Sequence, residues 1–97
     1  MSRAMLERRL VEVGERLKQL RAELLVTDEQ LAHFSDAADE ARLRALVSET
    51  PLADRDHHDA QRHAEAYGRH RSEVQHTIEQ LERRQDELLD RLAAESR

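Results

Sequence analysis

The side chains best suited to chemistry gather just after the only proline, where Asp54, His57, His58, Asp59 and His63 fall within ten residues. An Asp and a His four positions apart on a helix share a face and can hold one metal ion between them. Direction argues against it here. On a helix His57 falls on a different face from His58 and His63, and His63 and His70, though on one flank, stand two turns or about 10 Å apart. The expectation is solvated or flanking histidines and no metal site. The sequence also has no His-Glu-x-x-His pair, no glycine loop to cradle a phosphate and no nucleophile with a base beside it. With no cysteine, thiolate zinc sites and disulfides are absent. No catalytic residue and no cofactor are expected, and the chain reads as a non-enzyme.

A second constellation is the row Arg55, Arg62, Arg69 and Arg83, with His76 in the missing place. Such a row can read a phosphate backbone or an acidic protein face. Acids follow three or four residues later, at Asp59, Glu65, Glu73, Asp86 and Glu87, so helical ion pairs are expected to neutralise it. The net charge of −5 adds no attraction for a polyanion. Direct nucleic-acid binding is not expected.

The elements that position these groups follow from the hydrophobic spacing. Starting at Leu6, a 4-3 alternation selects Leu6, Leu10, Val13, Leu17, Leu20, Leu24, Thr27, Leu31, Phe34, Ala38, Ala41 and Ala45 without a slip. After the proline the same spacing selects Ala53, His57, Ala60, Ala64, Tyr67, Arg71, Val74, Ile78, Leu81, Gln85, Leu88 and Leu92. Between them Thr50 can cap a helix whose first residue is Pro51, with Asp54 and Asp56 favourable to its dipole. The reading is all-α: one domain over 1–97, a long antiparallel two-helix coiled-coil hairpin with arm one at about 3–48, a turn at about 49–51 and arm two at about 52–95. Folding one arm on the other sets Leu17 against Leu81, Leu20 against Ile78, Leu24 against Val74 and Phe34 against Ala64, with alanines narrowing the seam towards the turn. The alternative is a first arm broken near Val26 or Phe34, because Thr27-Asp28-Glu29-Gln30 is a capping box and Ser35-Asp36 is a further start signal.

Composition agrees with a narrow seam. The chain is 38% apolar and 38% charged, with one Phe, one Tyr and no Trp to fill a broad core. The first nine residues hold no uninterrupted apolar stretch, so neither a signal peptide nor a membrane span is expected, and a cytoplasmic location is.

Two polar layers interrupt the seam, Thr27 against Arg71 and Val13 against Gln85, a pattern that fixes register at some cost in stability. The simplest reading of Arg71 is a guanidinium that snorkels outward. Off the seam, Val11, Leu25 and Leu46 share a flank of arm one, with Val26 and Val47 beside them and Leu89 on arm two. Burying that second stripe calls for dimerisation into a four-helix bundle or for docking on a larger protein.

Near the turn Asp36, Asp39, Glu40, Glu49, Asp54, Asp56 and Asp59 outnumber Arg42, Arg44 and Arg55. A coiled-coil finger with an acidic tip resembles, in shape and charge, the RNA polymerase secondary-channel proteins of the Gre and DksA type, without the globular domain and cysteine zinc site of the DksA-like members. Arg71, Gln75 and Glu79, spaced by four, resemble the helical ladder on which hairpin anti-sigma factors hold cyclic di-GMP, although Ala64 and Gly68 stand where that pattern has Glu and Ser. The first resemblance implies a transcription regulator. The second implies a nucleotide second-messenger sensor with Thr27, Arg71, Gln75 and Glu79 at its ligand. The preferred expectation is a small regulator or adaptor that binds a protein partner, such as a sigma factor or RNA polymerase; a purely structural homo-oligomer is the remaining alternative.

Overall fold

The computed structural model describes residues Met1–Ser96. Two helices account for nearly all of them, α1 at Arg3–Ser48 and α2 at Pro51–Glu95. Each begins on a side-chain cap. Ser2 Oγ accepts from the Met5 N–H at 3.2 Å, and Thr50 Oγ1 accepts from the Ala53 N–H at 3.2 Å, each satisfying a donor that the first helical turn leaves without a partner. Pro51 then occupies the first helical position, where its missing N–H costs nothing.

The turn is two residues long. Glu49 has a φ of 50°, and its N–H donates to the Ala45 carbonyl at 3.1 Å, which ends α1 in the left-handed conformation that glycine usually supplies. The capping box at Thr27 starts no new helix, and α1 runs unbroken through it and through Ser35. Thr27 is 2% exposed, so its place in the heptad prevails over the local start signal. Every seam position named by the heptad spacing is buried or half-buried.

The chain divides into two compact units, each with a segment from both helices. The first joins Met1–Leu24 to the α2 residues from Val74 onward. Its core is aliphatic: Leu17, Leu20, Val74 and Ile78 form one buried cluster, with Val13, Leu24 and Leu81 packed against it. Leu6 and Leu88 are buried as well. Each fully buried aliphatic side chain contributes about 1.5–3 kcal/mol, and the burial is repeated along the pair. Polar contacts on the flanks accord with the antiparallel direction. Arg21 Nη2 lies 3.6 Å from Glu82 Oε2, and Arg3 Nη1 donates to Ser96 Oγ at 3.4 Å.

The second unit is Leu25–Glu73, the turn and the helix segments on either side of it. These segments also run antiparallel, since Asp28 meets Arg71 while Phe34 meets Tyr67 and His63. Among its residues only Thr27 and Ala41 are buried. The alanine-lined seam predicted towards the turn limits how much apolar surface can be covered. Phe34 supplies the largest contact, stacking on Tyr67 with ring centroids 4.6 Å apart and planes 15° apart. The heptad layer set Phe34 over Ala64. Its ring reaches further, to the next aromatic side chain, where stacking adds to the area buried. No helix of the described residues is long and apolar enough to cross a membrane.

Candidate functional site

Arg71 is the one arginine on the seam, and its place there decides what it can do. Its Nε donates to Asp28 Oδ1 of α1 at 2.5 Å, with the two side chains 40% and 43% exposed. Arg71 is therefore paired across the second unit while its side chain still reaches solvent, as outward snorkelling implies. Thr27, beside Asp28 in the chain, is enclosed in the seam, and no buried side-chain N or O atom of the described residues lacks a partner. Gln75 and Glu79 make a separate contact on α2, in which Gln75 Nε2 donates to Glu79 Oε1 at 3.3 Å. The Arg-Gln-acid ladder is thus already engaged by the protein's own groups: Arg71 with Asp28, and Gln75 with Glu79.

Asp28 is the residue that reading the sequence missed. Its capping-box context assigns it to a helix start, whereas in an unbroken helix it flanks the seam in the layer of the only seam arginine. That combination, an acid beside a seam threonine opposite a seam arginine, is the signal that would have found it.

The histidine region after the turn is likewise engaged. Asp59 Oδ1 accepts from Arg62 Nη2 at 2.7 Å, His57 and His58 stack with centroids 5.9 Å apart, and His63 lies edge-on to Phe34 at 5.7 Å. Arg62 takes the acid three residues before it, where the sequence suggested Glu65. Among the described residues no three His, Cys, Asp or Glu side chains converge so as to hold a metal ion.

The off-seam apolar residues are the feature of the surface that needs a purpose. Val11, Leu25, Val26, Leu46, Val47 and Leu89 are all exposed, from 49% at Leu89 to 85% at Val47. The structure adds Met5, Leu43 and Leu52. In the second unit Leu43, Leu46, Val47 and Leu52 all fall within ten residues around the turn, whereas Met5, Val11 and Leu89 belong to the first unit. Isolated exposed aliphatics are ordinary on a protein surface; a concentration of them marks an interaction surface. No protein-family model matches the chain, and neither the curated proteins nor the solved structures contain a match to it.

Proposed function

We propose that the protein is a small, non-enzymatic cytoplasmic regulator or adaptor that acts by binding a protein partner through exposed faces of its paired helices. The observation that carries this reading is the set of large aliphatic side chains standing in solvent on helices whose seam is already filled. Helices with a free apolar face are recognised by packing against another helix or into a groove, with anchors three and four residues apart. The acidic segment around the turn makes transcription machinery, RNA polymerase or a sigma factor, the partner class to examine first. Co-purification of the tagged full chain from its native host, after mild cross-linking, tests the proposal. A stoichiometric protein partner supports it; a monodisperse monomer recovered alone contradicts it.

A homodimer is the second reading. It is favoured by the thin core of the second unit, where Thr27 and Ala41 are the buried residues; helix pairs with so little buried surface gain stability by assembling into larger bundles. Light scattering on the purified chain separates the two, because a homodimer persists at every stage of dilution above its dissociation constant.

A further inference from the structure

We infer that the turn end of the second unit is a docking surface for a cationic amphipathic segment of a protein partner. Three observations meet there. Leu43, Leu46 and Val47 stand at i, i+3 and i+4 on the last turns of α1, 63%, 65% and 85% exposed, so they form one outward apolar triplet. Leu52, 66% exposed, adds a further outward aliphatic side chain on the first turn of α2, across the two-residue turn. The charge around them is net acidic: residues 36–59 hold seven acids against three arginines, a net −4, with Glu40 paired to Arg44 and Asp59 to Arg62. Asp36, Asp39 and Glu40 lie on the turns just before the triplet, with Glu49, Asp54 and Asp56 beyond it.

That combination selects the occupant. An apolar centre within an acidic rim complements a helix with leucine-like anchors on one face and lysine or arginine beside them. A second copy of the same surface would bring acid against acid. An anionic lipid surface is repelled by the same charge. This inference rests on the protein-binding reading above and names the surface and the chemistry of the partner.

The test is fluorescence anisotropy of the full chain with a labelled amphipathic Leu/Lys helix, with its Leu/Glu counterpart and with a Leu/Lys peptide of the same composition in non-amphipathic order. The Leu/Lys helix binds, the other two bind at least about tenfold more weakly, and raising salt from low to high weakens the first as its charges are screened. The variant Leu46→Ser/Val47→Ser, whose changes fall on exposed positions that leave the seam intact, weakens binding about tenfold or more through loss of two aliphatic anchors. Val11→Ser/Leu89→Ser, in the first unit, binds as the parent does. Equal binding of all three peptides, or loss in the Val11/Leu89 variant but not at Leu46/Val47, overturns the inference. So does self-association abolished by Leu46→Ser/Val47→Ser, and so does co-sedimentation of the chain with phosphatidylserine vesicles. A partner cross-linked in the native host that still binds the Leu46/Val47 variant removes this docking surface while leaving the protein-binding reading in place; the absence of any partner removes that reading itself.

Discussion

Arg71 of α2 and Asp28 of α1 are joined by a hydrogen-bonded ion pair, Nε to Oδ1 at 2.5 Å, immediately beside the enclosed Thr27. The pair ties two helix segments together at the one place where the heptad puts a charge on the seam. Both side chains are about two-fifths exposed, so solvent screening leaves a modest coupling of about 0.5–1 kcal/mol. A double-mutant cycle with Asp28→Ala and Arg71→Ala, read by urea denaturation, measures it. Strict additivity of the two single changes would show that the contact contributes nothing. Replacing both together, Asp28→Ala with Arg71→Leu, is expected to stabilise the protein, because a leucine at a seam position gains burial with no ion left to desolvate.

The first unit holds most of the aliphatic burial, and its variants should show it. Leu17→Ala empties a site that is 1% exposed and is expected to cost about 2–5 kcal/mol. Leu46→Ala, at 65% exposure, is expected to change stability by less than about 0.5 kcal/mol. Denaturation midpoints of the two variants side by side check the contrast. Similar losses in both would mean that Leu46 is covered in solution.

How far the sequence reveals this arrangement depends on whether a feature is local in the chain. The seam is legible because burial in a helix pair repeats with the 3.5-residue period, which Leu6, Leu17, Ile78 and Leu88 carry openly. The turn is legible because Thr50 and Pro51 act only on their neighbours. The Asp28–Arg71 pair needs the register between two helices, and the capping-box pattern around Asp28 points to a local role that the unbroken helix does not use. The heptad layer pairs Phe34 with Ala64, but the reach of its ring towards Tyr67 belongs to the side-chain rotamer and not to the repeat. Leu43 shares its helix face with Leu46 three residues on, a spacing open to reading, whereas Leu52 stands on the other helix and only the two-residue turn puts it at the same end of the second unit.

Glu49 carries the left-handed backbone of the turn, with φ at 50°. An L-residue pays about 1–2 kcal/mol there, and glycine pays back part of that through its own chain entropy. Glu49→Gly is therefore expected to raise stability by about 0.5–1 kcal/mol, seen as a higher melting temperature by circular dichroism. A lower melting temperature would place another interaction of the Glu49 side chain above the backbone strain.

Gly14 and Gly68 sit inside α1 and α2, and a methyl group at either would meet nothing within 4 Å. Glycine in a helix interior costs about 0.5–1 kcal/mol relative to alanine. Gly14→Ala and Gly68→Ala are each expected to stabilise by that amount and, being far apart in the chain, to add when combined. Thermal melts of the two single variants and the double variant measure it. Destabilisation by either would reveal a close approach at that face in solution, as in a dimer.

Binding of a cyclic dinucleotide at Arg71 and Gln75 would compete with their contacts to Asp28 and Glu79. Isothermal calorimetry of the parent chain with cyclic di-GMP is expected to show no heat of binding. Saturable heat lost in Arg71→Ala would reverse that expectation and establish Arg71 as a ligand contact.

All of these outcomes depend on the filled seam that turns Leu46, Val47 and their neighbours outward. Arg21 and Glu82 face each other across the two helices of the first unit at 3.6 Å and are about half exposed, and the chain has no cysteine of its own. Spin labels attached to an Arg21→Cys/Glu82→Cys variant test the pairing by electron paramagnetic resonance. The account predicts strong dipolar broadening that persists when labelled protein is diluted with unlabelled protein. Sharp, uncoupled spectra, or broadening that vanishes on that dilution, would contradict it.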